Sequence, residues 1–138
     1  MPTVERDLIA RMYASFNDRD LDGWLDGFAP SATWTNVPTG QTYVGVAEQL
    51  ENYNAWNTPF PRGRIENLVI HAGDGFVAAE FDGVGVHEGP LATPDGEISA
   101  TGKSTRIPFC DIHEVRDGKV TSTHRYWDLL GANAQLGI

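Results

Sequence analysis

The stretch PFCDIHEVRDGKVTSTHRYWD, residues 108–128, decides the fold because it predicts two long strands joined by a tight turn. Apolar and polar residues alternate on both sides of RDGK at 116–119, and a short connection that contains glycine is typical of an antiparallel hairpin. Upstream, RIENLVIHA and GFVAAEFDGVGVH are also strand-like and are joined by GDG at 73–75. The C-terminal half therefore predicts an antiparallel sheet.

Helices precede this sheet. Residues 3–17 place apolar side chains at helical spacing, and a shorter helix is predicted to begin after an N-cap at Asp20. ATWTNV at 32–37 alternates as a strand does, and a third helix around residues 46–56 ends before the two prolines of TPFPRG. Helices followed by long antiparallel strands indicate an α+β domain with its helices packed on one face of a curved sheet.

Composition limits the partners and the location. The chain has 138 residues, with ten Lys and Arg against nineteen Asp and Glu, and a formal charge of −9. We expect residues 1–138 to form one domain, because a chain of this length buries one sizeable core. The negative charge argues against a nucleic acid or an anionic membrane as partner, since both bind basic surfaces. One cysteine, Cys110, and the lack of a signal-like or membrane-spanning apolar run predict a cytoplasmic protein.

The last predicted strand ends in a carboxylate. Because side chains alternate along a strand, His124, Tyr126 and Asp128 share one face. The residues across the hairpin depend on the turn, and two registers are open. A two-residue loop at 117–118 places Asp111 opposite His124.

A three-residue loop that ends in the glycine of RDGK gives the other register. It brings Glu114 and Cys110 onto the face of Asp128. We favour it, because such a loop requires glycine at its third position and because the shared face gains an apolar lining. If the hairpin register shifts by one residue, His113 and Asp111 lie on the face of Asp128 in place of Glu114 and Cys110.

Two roles suit Asp128. Apolar, aromatic surroundings raise the pKa of a carboxyl group and bring it toward the range in which it accepts and returns a proton at neutral pH. Such a group suits the removal of a proton next to a carbonyl. The alternative is a helix cap, in which the carboxylate accepts hydrogen bonds from the first amides of the tail LLGANAQLG.

Several stretches together resemble the SnoaL-like polyketide cyclases, the ester-cyclase branch of the nuclear transport factor 2-like superfamily. They are YVGVAEQL, FPRGRIENLVIHAGDGFVAAEF, GVGVHEGPL, ATGK at 100–103, VRDGKV and the ending YWDLLGANAQLG. The resemblance implies a cone-shaped α+β barrel, in which three helices of the N-terminal half pack on a strongly curved, mostly antiparallel sheet that encloses a pocket. It also implies closure of a polyketide ring by intramolecular aldol condensation of an ester, without metal, cofactor or covalent intermediate.

The resemblance implies that Asp128 is the catalytic acid/base. The family's aspartate stands ten residues after the glycine of the DGK turn, which is Gly118 in this chain. Where members commonly carry an Arg-Phe pair ahead of the turn, or a pocket histidine, this chain has His113 and Glu114, which become the candidate helper groups. The loop EGPLATPDGEIS looks longer than is usual in the family, and loops of this kind select substrates.

Aromatic and polar residues are the candidate ligand contacts. Trp34, Trp56 and Phe60 are predicted to line an apolar cavity for an aromatic or polyketide-like small molecule. The candidate donors to a developing oxyanion are His87, Tyr126, His124 and Asn36. Cys110 joins the face of Asp128 as a small hydrophobe. Metal binding is not predicted, because the D-x-H at 111–113 has no second cluster of ligands in the sequence.

Other functions fit the same scaffold. A dehydratase, an isomerase or an epoxide hydrolase would use the same carboxylate. For an epoxide hydrolase Asp111 and Arg125 would have to reach Asp128, although alternation puts Arg125 on the opposite face. A non-catalytic small-molecule-binding or dimerisation module would have its pocket filled by side chains. The resemblance further implies a homodimer or a higher homo-oligomer.

Overall fold

The computed structural model describes residues 2–138, and within this range it contains four α-helices and eight β-strands. The helices are α1 (Thr3–Asn17), α2 (Leu21–Leu25), α3 (Gly45–Asn57) and α4 (Leu129–Leu136). The strands are β1 (Phe28–Asn36), β2 (Gln41–Val44), β3 (Arg64–Gly73), β4 (Phe76–Val86), β5 (Leu91–Thr93), β6 (Gly96–Ile98), β7 (Ser104–Arg116) and β8 (Lys119–Trp127). The α+β class and the three helices of the N-terminal half are as predicted.

Six strands form one curved sheet, in the order β2-β1-β8-β7-β4-β3. Its neighbouring strands are antiparallel, apart from the parallel pair β1 and β8. Helix α1 packs on β3 and β4, and α3 packs on β1. This arrangement confirms the cone-shaped, mostly antiparallel fold. Within residues 2–138, no helix has the length and apolar character that a membrane span needs.

The β7–β8 hairpin closes through a two-residue loop. Arg116 pairs with Lys119, and the loop residues Asp117 and Gly118 have φ values of 52° and 73°, as a type I′ turn requires. The three-residue loop that we favoured from the sequence is therefore wrong. A bulge after this turn then shifts the register, so that Glu114 pairs with Ser122.

The bulge decides which residues share a face of the hairpin. It pairs Cys110 with Tyr126, so Cys110 lies on the face of Asp128 although the turn has two residues. That face points outward. The alternate positions of β7 and β8 point toward the helices and are buried: Phe109, Asp111, His113, Thr123 and Arg125. We call these two sides the outer and the inner face of the sheet.

Helix α4 follows the hairpin directly. Gln135 pairs with the backbone of Arg106, donating to its carbonyl at 2.9 Å and accepting from its N–H at 2.7 Å. The side-chain amide of Gln135 thereby satisfies the β7 backbone at a position where β8 has ended and no neighbouring strand can do so. The sequence patterns did not predict β2 or the hairpin of β5 and β6, because strands of three or four residues are too short to show alternation.

Candidate functional site

An apolar cavity lies between the helices and the inner face of the sheet. Its volume is about 60 Å³, which is room for a few water molecules. Rings from α1, α2, α3, the segment after α3 and the sheet form most of its wall: Phe16, Trp24, Trp34, Tyr53, Trp56, Phe60, Phe81 and Phe109. The exposed Arg64 marks the rim. The cavity therefore suits a small, planar, largely apolar ligand.

Arg125 is a buried charged residue on the cavity wall, with 8% of its surface exposed. Its Nε and Nη2 donate hydrogen bonds to Asp111 Oδ1 and Oδ2, at 2.8 and 2.9 Å. The guanidinium carbon lies 4.7 Å from the ring centre of Trp34 and 5.0 Å from that of Phe109. The two-pronged ion pair and the flanking rings hold the cation in one orientation at the cavity.

A chain of hydrogen bonds behind the wall holds Asp111. Tyr13 Oη donates to Asp111 Oδ2 at 2.7 Å and lies 2.8 Å from His113 Nε2. His113 Nδ1 lies 2.7 Å from Thr123 Oγ1. Since the Tyr13 proton goes to Asp111, a consistent assignment has His113 Nε2–H donating to Tyr13 and the Thr123 hydroxyl donating to Nδ1. The imidazole is then neutral.

Burial and charge set the protonation of this chain. Burial alone would raise the pKa of Asp111, but Arg125, aided by His113 and Tyr13, holds this pKa below its usual value. Burial raises the pKa of Tyr13 well above its usual value, and the Asp111 charge raises it further. Burial lowers the pKa of His113 to about 4. At neutral pH the chain therefore consists of one ion pair, a neutral phenol and a neutral imidazole.

Three of the predicted ligand contacts line this cavity: Trp34, Trp56 and Phe60. His113 does not line it, because both of its ring nitrogens are engaged behind the wall. Its ring packs against Trp34, with 5.8 Å between the ring centres. The hydrogen bonds of His113 reach the cavity only through Tyr13, Asp111 and Arg125.

Asn36 and His87 are buried but lie outside the cavity lining. Asn36 Oδ1 accepts a hydrogen bond from Trp127 Nε1. His87 Nδ1 accepts from the backbone N–H of Thr101 at 3.2 Å, and its ring centre lies 5.7 Å from that of Phe60. These contacts give both residues a structural role, and their predicted contact with a ligand stays a prediction.

The other predicted residues lie on the outer face. Asp128, Tyr126 and Cys110 line an open groove there, opposite the inner cavity. His124 and Glu114 are exposed on the same face. The structure therefore brings Asp128 together with Tyr126 and Cys110 but separates it from His113, which points inward.

The desolvation predicted for Asp128 is wrong, although Pro108, Tyr126 and Trp127 line the outer groove with it. Its side chain is exposed, and Oδ1 accepts a hydrogen bond from the backbone N–H of Gly131 at 2.8 Å as the N-cap of α4. The cap alternative is therefore what the structure shows. The physical reason is that the inner face buries the polar residues Asp111, His113 and Arg125, which satisfy one another, so polarity alone misleads about which face is the core.

The family follows from a match along most of the chain. The sequence model described as a SnoaL-like domain matches residues 9–123. This chain belongs to the SnoaL-like family. A search of curated proteins finds no match.

Solved structures agree with this SnoaL-like assignment. A candidate polyketide cyclase from Xanthomonas campestris pv. campestris is 26% identical, with a TM-score of 0.85 and 98% of each chain covered. Another, from Silicibacter sp. TM1040, is 26% identical, with a TM-score of 0.82 and coverage of 94% of this chain and 93% of that chain. TerC, co-crystallised with polyporic acid, is 20% identical, with a TM-score of 0.77 over 98% of this chain and 99% of that chain, and shares the fold.

The sequence reasoning missed the polar centre of this SnoaL-like chain. Asp111 and Arg125 appeared only in the hairpin registers and in the epoxide hydrolase alternative, and neither Tyr13 nor Asn52 was singled out. A signal was available, because Asp111, His113, Thr123 and Arg125 fall on alternate positions of the two paired strands. Within residues 2–138, no group of three or more His, Cys, Asp or Glu side chains is arranged to hold a metal ion.

Proposed function

We propose that this SnoaL-like protein is a cofactor-independent enzyme that binds a small, planar carbonyl compound in the inner cavity and stabilises its enolate with Arg125. The supporting observation is a buried guanidinium on the wall of an aromatic, apolar cavity. Surroundings of low polarity strengthen the attraction between a fixed cation and a negative oxygen. Because Asp111 already orients Arg125, little reorganisation accompanies formation of the enolate.

The reaction that we propose is an intramolecular aldol condensation of a polyketide-like ester. An α-carbon passes its proton to a water molecule at the rim of the cavity, the resulting enolate carbon attacks a carbonyl carbon of the same molecule, and the new alkoxide takes a proton back from that water. This sequence needs no net oxidation or reduction. A cavity that holds the two carbons together can supply several kcal/mol of the barrier. The candidate polyketide cyclases among the similar structures support this choice.

Dehydratase and isomerase reactions are the second candidate, since both proceed through the same kind of enolate. For each of these reactions, Arg125 would stabilise the oxyanion. Asp128 stays a predicted acid/base, but the inner cavity has no place for it, since the sheet lies between them. Assembly into a homodimer also stays a prediction.

A pair of matched variants tests which side of the sheet binds the substrate. Phe60→Ala, at the inner cavity, should lower kcat/KM for an active polyketide ester by about tenfold, because it removes a ring that contacts the ligand. Tyr126→Ala, in the outer groove, should stay within twofold of the unchanged protein. The measurement is product formation from a panel of polyketide esters, followed by mass spectrometry. The reverse pattern would place the substrate in the outer groove and contradict the proposal.

Asp128 offers a second test, because asparagine and aspartate cap helices about equally well. Asp128→Asn should keep both the free energy of unfolding and turnover close to their original values. Asp128→Ala should lower the free energy of unfolding by about 1 kcal/mol through loss of the bond to Gly131, again with little change in turnover. Urea unfolding and initial rates on the same samples check this. A hundredfold loss of turnover in a normally stable Asp128→Asn protein would restore the carboxylate as the base.

A further inference from the structure

We infer that Asn52 is a specificity-determining residue, whose side-chain oxygen accepts a hydrogen bond from a hydroxyl group of the ligand. This inference rests on the proposed function, because it places the ligand in the inner cavity. Asn52 lies on α3, is 3% exposed and lines the cavity wall. Its Oδ1 is buried and has no hydrogen-bond partner anywhere in residues 2–138.

Gln49 Oε1 and Asn57 Oδ1 on the same helix are also buried oxygens without a partner among the described residues, but neither residue lines the cavity as Asn52 does. Gln49 is fully buried, and its Nε2 donates to the carbonyls of Ala32 and Tyr43, both at 3.2 Å. Asn57 Nδ2 donates to the carbonyl of Tyr53 at 2.8 Å. These amides hold backbone groups, whereas Asn52 faces the cavity.

A buried oxygen without a partner lowers stability, and a leucine of similar size would avoid that cost. A residue that lowers the stability of the fold is expected at a site that binds a ligand, because there it serves binding. The position of Asn52 on the cavity wall makes a bound molecule the partner that completes its hydrogen bonding.

The rest of the wall defines what that molecule carries. The indole Nε1 atoms of Trp24 and Trp34 are also buried without a partner among the described residues, and both residues line the cavity. The wall thus offers N–H donors from Trp24, Trp34 and Arg125, and an acceptor from Asn52. The matching ligand has an ionised or carbonyl oxygen for the donors and a hydroxyl hydrogen for the acceptor. A cavity of about 60 Å³ limits the part of the ligand that enters it to a unit no larger than a single ring, such as an enolised 1,3-dicarbonyl.

Benzoate and its three monohydroxy isomers are the probes that test this. We expect the unchanged protein to bind one hydroxybenzoate at least tenfold more tightly than benzoate, measured by calorimetry or by NMR titration. Asn52→Leu should reduce this ratio to less than twofold and leave the affinity for benzoate equal or higher. The matched control, Asn57→Leu, makes the same change on the same helix outside the cavity lining and should keep the ratio.

Thermal unfolding separates a ligand contact from a structural role. Asn52→Leu should unfold at the same or a higher temperature, because it removes an unsatisfied buried oxygen. A marked fall in melting temperature in both Asn52→Leu and Asn52→Ala would identify Asn52 as structural and overturn the inference. A tenfold preference that survives either substitution would overturn it too, and would leave the proposed function standing. Failure of all four probes to bind the unchanged protein would overturn the inference, whereas the proposed function falls if the Phe60→Ala and Tyr126→Ala variants show the reverse pattern.

Discussion

Replacing Arg125 with Met should lower the free energy of unfolding by about 3–5 kcal/mol and reduce kcat/KM at least a hundredfold. The loss of stability follows because Asp111, which is fully buried, would keep its charge without its partner. The loss of activity follows because the cavity would lose the cation that stabilises the enolate. Urea unfolding and turnover of an active ester measure the two effects.

A second substitution separates these effects. In the double variant Asp111→Asn/Arg125→Met the buried charge is gone, and the introduced side-chain amide still offers an oxygen to the Tyr13 hydroxyl. Most of the lost stability should therefore return, since replacing both partners of a buried ion pair is far less costly than removing one. Activity should not return. A folded double variant with near-normal turnover would contradict the role of Arg125.

An exposed ion pair provides the matched control. Arg62 and Glu88 form a comparable two-pronged contact, with Nε–Oε1 at 2.8 Å and Nη2–Oε2 at 2.9 Å. The Arg62 side chain is 76% exposed, so water replaces the lost contact. Arg62→Met should leave the unfolding midpoint and the turnover nearly unchanged. If Arg125→Met loses stability and turnover while Arg62→Met does not, the difference comes from the burial of Arg125 and from its position at the cavity.

Periodic features of the sequence predicted the fold well. Apolar spacing located α1 and the N-cap at Asp20 located α2, while strand alternation and the RDGK turn located the long β7–β8 hairpin. Turn geometry was harder, because RDGK is compatible with a two-residue and with a three-residue loop, and the glycine favoured the wrong one. The bulge that follows the turn depends on packing across the whole sheet, so no local pattern in the hairpin indicates it.

The site was harder to predict than the fold for a different reason. A strand whose inward residues include Thr123 and Arg125 looks exposed on that side, whereas Tyr126 suggests an apolar face. The burial of Arg125 depends on Asp111 from the neighbouring strand and on Tyr13, which lies 98 residues away from Asp111 along the chain. Only the assembled fold shows that these groups satisfy one another. Predictions based on aromatic size, such as Trp34 and Trp56, placed the cavity wall correctly.

Acid should destabilise this protein in a pH window set by His113. Its pKa falls from an ordinary 6.5 in the unfolded chain to about 4 in the fold, so the unfolded state binds more protons between these two values. The contribution of His113 to the free energy of unfolding is therefore fully present above pH 6.5. It declines by about 3 kcal/mol as the pH falls to about 4. Asp111 acts in a lower window, below its ordinary pKa of 3.8, because its pKa is lowered in the fold.

His113→Gln removes the titration while its side-chain amide can still donate toward Tyr13. The variant should lose the decline in stability between pH 6.5 and 4 that the unchanged protein shows, as measured by urea unfolding across a pH series. NMR titration of the imidazole should show a ring that stays neutral down to about pH 4. An equal pH slope in both proteins would contradict the assignment.

The same titration bears on the role of His113 in the reaction. A ring that is neutral throughout the physiological range, and whose two nitrogens already bond Tyr13 and Thr123, has no proton to exchange with a substrate. Its effect on turnover should then pass through Tyr13 and Asp111 to the orientation of Arg125. His113→Gln should accordingly lower kcat by a pH-independent factor, whereas a helper acid or base would change the shape of the pH profile.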